Sequence, residues 1–265
     1  MLFKKIYEKL KHKYWSLGKP IIVSRSVCLG TWAFDRIDIG KMKLFNCGKN
    51  RVDYALDMHK DKSQRADAFE ISKYTPRDYR SFRGWYWAEE QDLFKHKKVK
   101  AFVMDSFSEL VDQRFISKKN GHSFCTIYRA VKGTKLCDLY DCLGLLDIDL
   151  IKKYYLAFFK ELRKVYEDIP VVFIHFSTVF ETRENFIARA VQIEKAIDEI
   201  NREENMGIIQ IKPRIIEHHE TDPNAYHYSK NTYDDVAVQL VEALKAKGVR
   251  VKLKNEINQP DINVQ

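Results

Sequence analysis

The chain has 265 residues, 45% of them hydrophobic and 31% charged, with a formal net charge of +9. That length supports one large α/β domain or two small ones, and that composition excludes a disordered chain. Apolar runs such as "VVFIHF" are far too short to span a bilayer, which excludes a transmembrane helix.

Residues 1–19, "MLFKKIYEKLKHKYWSLGK", hold six Lys against one Glu. Leu2, Phe3, Ile6, Tyr7, Leu10, Tyr14 and Leu17 recur at helical spacing, so a basic amphipathic helix is expected, closed by Gly18 and Pro20. Such a helix either packs on the domain or lies on an anionic membrane surface through residues 1–18. The segment lacks the long apolar stretch and cleavage site of a secretory signal, so a cytoplasmic protein is expected, peripheral on the inner membrane face if the helix binds lipid. The rest of the positive excess is unremarkable and carries no base-reading or stacking motif, so nucleic acid is not an expected partner.

Beyond residue 20, short β-rich apolar runs alternate with helical patterns. The strand candidates are 20–27, 99–104, 170–176, 207–212 and 249–253, and the helical patterns lie near 80–96, 149–167, 183–205 and 231–247. This alternation predicts an α/β fold, a three-layer α/β/α sandwich with a mainly parallel sheet of about five strands. Residues 41–80 and 116–145 read as insertions over the sheet. The economical division is the helix at 1–19, one α/β domain at 20–254, and a polar tail at 255–265. Trp85, Tyr86 and Trp87 fall in the first helical pattern, where they serve either the core or a sugar-stacking rim.

Five Cys (Cys28, Cys47, Cys125, Cys137, Cys142) form an odd, scattered set with no CxxC pair, which favours reduced thiols over disulfides or a zinc knuckle. His218 and His219 are adjacent, point in different directions and have no matching second cluster, so no metal is expected. In an open parallel sheet, ligands sit at the carboxyl ends of the strands. Ser24, Arg25, Ser26, Val27, Cys28, Leu29, Gly30 and Thr31 follow the first strand; Asp105, Ser106 and Phe107 follow the second; His175, Ser177 and Thr178 follow the third. His227 precedes the last long helix, just after the turn sequence Asp222-Pro223-Asn224. A hydroxyl, a His and an acid on one rim are the parts of an acyl-transfer site.

The order of a strand and Ser near the N-terminus, then Asp-Pro, then a His before the C-terminal helix resembles the SGNH/GDSL hydrolase superfamily. The segments "AFVMDSFSELVDQRF" and "NAYHYSKNTYDDV" are similar to blocks of an uncharacterised SGNH-like family encoded among capsule and surface-polysaccharide genes. The resemblance runs from about residue 20 to 245 on short motifs, and it implies an SGNH/flavodoxin-like sandwich. It also implies His227 as general base, with Asp222 or Asn224 orienting the ring: the family's acid stands three residues before the His, where this chain has Asn224, and Asp222 is five before. Ser26 is the best positional match for the nucleophile, although Arg25 stands where the family has a turn residue, and Ser106 and Ser24 are alternatives. The implied activity is a serine esterase or O-acyltransferase acting on a bacterial surface polysaccharide or its acylated sugar precursors. No cofactor is implied for a hydrolase, whereas a transferase would draw on an acyl donor such as acetyl-CoA. A non-catalytic SGNH-like binding or assembly protein is the first alternative. The second is a glycosyltransferase, for which no convincing Asp-x-Asp metal motif is present. In the more conservative reading, Asp112 and Arg114 are a buried scaffold pair, His175 is a core residue, and Asn231 or Thr232 caps the last helix.

Overall fold

The computed structural model describes residues 18–48, 50–67, 71, 73, 74 and 92–254. The basic helix at 1–19 (apart from its last two residues), the aromatic run Trp85–Trp87 and the tail 255–265 lie outside the described residues.

In chain order the main elements begin with β1 (Ile21–Arg25), α1 (Cys28–Phe34), β2 (Ile37–Asp38), β3 (Lys43–Asn46) and α2 (Val52–Lys60). Then come β4 (Val99–Asp105), α3 (Phe107–Val111), β5 (Asp112–Ser117), β6 (Ser123–Ile127), α4 (Leu136–Leu139) and β7 (Tyr140–Gly144). The last are α5 (Ile151–Val165), β8 (Val171–Ile174), α6 (Glu184–Glu204), β9 (Ile208–Ile211), α7 (Lys230–Ala246) and β10 (Lys252–Leu253).

Five strands form one parallel sheet in the order β3-β1-β4-β8-β9, flanked by helices. Helices α1 and α7 pack on each other, and α5 packs against both α2 and α6. The three central strands are apolar without alternation because both of their faces are covered. Ile22, Val23, Phe102, Val103, Met104, Val172, Phe173 and Ile174 are all fully buried there. Each such side chain contributes about 1.5–3 kcal/mol of transfer free energy. Among the described residues no helix is long and apolar enough to cross a membrane.

Two strands differ from the sequence expectation. The run at 249–253 does not join the main sheet, because only Lys252–Leu253 is extended and it pairs antiparallel with β2. Its valines, Val249 and Val251, are instead buried in the main core, just after Gly248 turns the chain with φ 76°. The fifth strand of the sheet is β3, drawn from the segment expected to be irregular. It is an edge strand whose residues are all only half-buried, which is why its sequence "KLFN" lacks an apolar run. The second insertion, 116–145, contributes to a separate antiparallel sheet in the order β6-β5-β7. Ala66, Ile71, Phe115, Phe124, Ala130, Val131 and Leu136 form a small core of their own beside it.

Candidate active site

The carboxyl end of β1 is tightly built. Arg25, the last residue of that strand, is not a surface turn residue: its side chain is fully buried in an ion pair with Glu109. It also donates to the carbonyl of Asn50. Glu109 in turn accepts from the Val52 amide at 2.9 Å and the Tyr155 hydroxyl at 2.7 Å. A single buried cation thus ties β1 to α3, α2 and α5, with the paired, multiply bonded geometry that a buried charge requires.

The turn that follows hangs from Asp105 at the end of β4. Its Oδ2 accepts the Val27 amide at 2.8 Å and its Oδ1 the Phe107 amide at 3.1 Å. Burial pushes this carboxyl up to about 7, against the opposing pull of the Val27, Phe107 and Gly30 amides and of Arg25. Helix α1 then starts at Cys28 and crosses close over Ser26. A Cβ on Gly30 would lie 2.4 Å from the Cβ of Ser26, so only glycine permits this approach.

The second half of the site is the loop before α7. His227 Nδ1 meets Asp222 Oδ2 at 2.5 Å. Asp222 is fixed by its other oxygen, Oδ1, which accepts the Asn224 amide at 2.9 Å, and His227 N donates to the Asn224 carbonyl at 2.8 Å. The hydrogen bond from His227, together with the Asn224 amide, holds the Asp222 carboxyl below its ordinary range. Tyr228 anchors the loop by donating from its hydroxyl to the Ser177 carbonyl at 3.0 Å. The helix cap is Ser229, not Asn231 or Thr232: its side chain accepts from the Thr232 amide.

These two halves meet at the imidazole. His227 Nε2 lies 3.5 Å from Cys28 Sγ, across 199 residues of sequence. Trp32, one helical turn beyond Cys28 on the same face of α1, packs on the His227 ring with centroids 5.5 Å apart. Tyr233 of α7 meets the Trp32 ring edge-on at 4.5 Å. Contact with a carboxylate places a proton on Nδ1, and in the neutral ring that leaves the Nε2 lone pair facing the thiol. The imidazole therefore stands between a thiol at one nitrogen and a carboxylate that orients the ring at the other, the order of parts found where a thiol is activated by a positioned base.

Of the residues that the sequence singled out, the structure brings together His227, Asp222 and Asn224. The serines are elsewhere engaged. Ser26 is 1% exposed and its Oγ lies 2.5 Å from Ser24 Oγ, itself fully buried. Ser106 is 3% exposed, and its Oγ accepts the Phe176 amide at 3.4 Å. Cys28 falls in the sequence among the residues that follow the first strand, but the resemblance points to Ser26, two positions earlier. The signal for Cys28 is a Cys that opens the helix just after a strand, in a chain with a His before its last helix.

Several conservative readings also resolve. Arg114 does not pair with Asp112; it reaches Asp57 at 2.6 Å and Asp53 at 3.8 Å, both on α2. His175 is a core residue, 5% exposed, with Nε2 at 2.8 Å from Gln210 Oε1. The His218–His219 pair shapes the site loop: His218 Nε2 lies 3.2 Å from the Asn224 carbonyl, and His219 Nδ1 accepts the Asp222 amide at 3.2 Å. Among the described residues no group of three or more His, Cys, Asp or Glu side chains is placed to hold a metal ion.

No family model matches the chain, and no curated protein matches it in sequence. Three solved structures are similar to it. A candidate GDSL-like lipase from Bacteroides ovatus has a TM-score of 0.46 at 13% identity, over 90% of this chain and 56% of the other. A salicylyl-acyltransferase from a tetracycline biosynthetic pathway has a TM-score of 0.42 at 10% identity, over 88% of this chain and 57% of the other. An acetyl xylan esterase from the rumen bacterium Butyrivibrio proteoclasticus has a TM-score of 0.42 at 10% identity, over 87% and 64%. The chain thus spans only 56% to 64% of the length of these proteins. At such scores the likeness carries no weight in assigning a reaction, which rests on the geometry of the site.

Proposed function

We propose that the protein is an acyl-transfer enzyme, an esterase or O-acyltransferase, with the Cys28 thiol as nucleophile. The observation that carries this reading is the 3.5 Å approach of Cys28 Sγ to the His227 nitrogen opposite the one bound by Asp222. His227 takes the thiol proton at Nε2, and the thiolate attacks an ester carbonyl. As the tetrahedral adduct collapses, the bond to the alcohol breaks and Nε2–H returns its proton to the departing oxygen. Water or a sugar hydroxyl then attacks the thioester, loses its proton to Nε2, and regenerates the thiol. Asp222 keeps the ring in the required tautomer and stabilises the imidazolium. Buried Ser26 and Ser24 support the turn beneath the thiol.

The motif resemblance supports an acylated sugar of a bacterial capsule or surface polysaccharide as the substrate, with a donor such as acetyl-CoA if the enzyme is a transferase. The cytoplasmic membrane face is the place this reading assigns to it, reached through the basic residues 1–18. Binding of the full-length protein to anionic liposomes should weaken when those residues are deleted and as salt rises. Liposome binding that is unchanged by the deletion removes the membrane part of the proposal.

The nucleophile is tested by labelling. Iodoacetamide should modify Cys28 before the exposed Cys137 and Cys142, and Cys28→Ala should remove both that label and any hydrolysis of p-nitrophenyl acetate. A fluorophosphonate label lost in Ser26→Ala would instead make Ser26 the nucleophile. No reaction with either reagent leaves the non-catalytic binding protein as the reading.

A further inference from the structure

We infer that Asn224 is the side-chain donor that binds the oxyanion formed at Cys28. This rests on the thiol reading of the site. The motif resemblance puts Asn224 in the position of an orienting acid, but it is Asp222 that meets Nδ1. The Asn224 amide lies on the opposite side of the ring, with Nδ2 3.5 Å from His227 Nε2. That is the nitrogen Cys28 Sγ approaches at the same distance, 3.5 Å. Asn224 therefore faces the reacting edge of the imidazole.

Which end of the amide points there is decided by its neighbours. Asn224 Oδ1 accepts the Tyr226 amide at 3.1 Å, a bond that only the oxygen can make, so Nδ2 is the atom directed at the site. The residue is also immobilised through its backbone. Its N–H donates to Asp222 Oδ1 at 2.9 Å and its carbonyl accepts from His227 N at 2.8 Å. The donor is thus fixed by the same turn that fixes the base.

In the resting site Nδ1 carries the proton, so Nε2 has one lone pair and two donors facing it, the thiol and the amide. Only one can use it. When the thiol proton moves to Nε2, that lone pair is gone and the amide faces an N–H group. The acceptor created in the same step is the carbonyl oxygen: its π pair moves onto oxygen as the C–S bond forms. A donor that loses its ground-state partner as the oxyanion appears binds the transition state more strongly than the ground state, which is the condition for catalysis.

Two reagents separate this role from a structural one. Alkylation of Cys28 by iodoacetamide displaces iodide and makes no oxyanion, whereas acetylation by p-nitrophenyl acetate passes through one and releases p-nitrophenolate. In Asn224→Ala, acetylation should fall by about 10²-fold while alkylation changes by no more than about 2-fold, the loss typical of one oxyanion donor. Asn224→Asp keeps an acceptor for the Tyr226 amide, so the turn survives, but it offers the oxyanion a negative charge; acetylation should fall at least as far. Retention of the wild-type acetylation rate in Asn224→Ala overturns the assignment, as does a parallel fall of both reactions in both variants. If acetylation proceeds at the wild-type rate in Cys28→Ala, the thiol reading fails first and this inference with it.

Discussion

The His227 ring is held by a carboxylate at one nitrogen, an indole against its face and a thiol at the other nitrogen. Asp222→Asn would preserve the size of the orienting group but offer Nδ1 either an amide donor or a weaker acceptor, so the lone pair needed at Nε2 is lost from much of the population. The acylation rate should fall by about 10³–10⁴-fold with little change in melting temperature, since Asp222 sits at the rim. Burst kinetics with p-nitrophenyl acetate and a thermal melt check both halves. Asp105 obeys the opposite rule, because burial raises its carboxyl to about 7. The folded state then binds its proton more tightly than the unfolded chain does, so this group's contribution to stability falls as pH rises from about 4 to about 7. Urea unfolding of the wild type against Asp105→Asn should show the difference moving in favour of the wild type as pH drops through that window. Asp222 and His227 were legible as a pair in sequence because they lie in one short turn, five residues apart. The thiol was not, because its approach to His227 exists only once α1 and α7 are packed together.

At the level of elements, the end of β1 depends on a cation that the sequence offered only as a departure from a motif. Arg25 occupies the turn position, yet it points down into the core and meets Glu109 with both side chains fully buried. Glu109→Ala would strand that charge and release the Val52 amide and the Tyr155 hydroxyl, at a cost of about 3–5 kcal/mol in urea unfolding. Gly30→Ala acts on the same turn from above, forcing α1 away from Ser26; it should lower stability by about 1–3 kcal/mol and slow the labelling of Cys28. If labelling survives at the wild-type rate, the turn does not position the thiol. Strands β4 and β8 were readable because residues 101–104 and Val171–Ile174 are uninterrupted buried apolar runs, and edge strand β9 because only Gln210 interrupts its isoleucines. Edge strand β3 was not, since all four of its residues are half-buried and only Leu44 and Phe45 are apolar.

Across the whole molecule, the sheet fold was readable from the alternation of elements, whereas the excursion from β5 to β7 was visible only as an insertion. Its structure explains why: it carries a separate small core and meets α2 through the buried cluster of Tyr54, Met58 and Cys125 together with polar contacts, one of them ionic. Arg51 donates to the Gly144 carbonyl at 2.8 Å, Arg114 pairs with Asp57 at 2.6 Å, and the Tyr54 hydroxyl reaches the Ser123 carbonyl at 3.2 Å. Polar moorings of this kind are worth less than apolar burial and the ionic one is weakened by salt. The molecule should therefore open in two stages under native conditions. Amide protons of β1, β4 and β8 should exchange only through global unfolding, while those of β5, β6 and β7 exchange earlier, through a partial opening that added salt makes more frequent. Such an opening would detach the small sheet while leaving the strands beneath Cys28 and His227 closed, so the protein could loosen one side while the contact between those two residues stays intact.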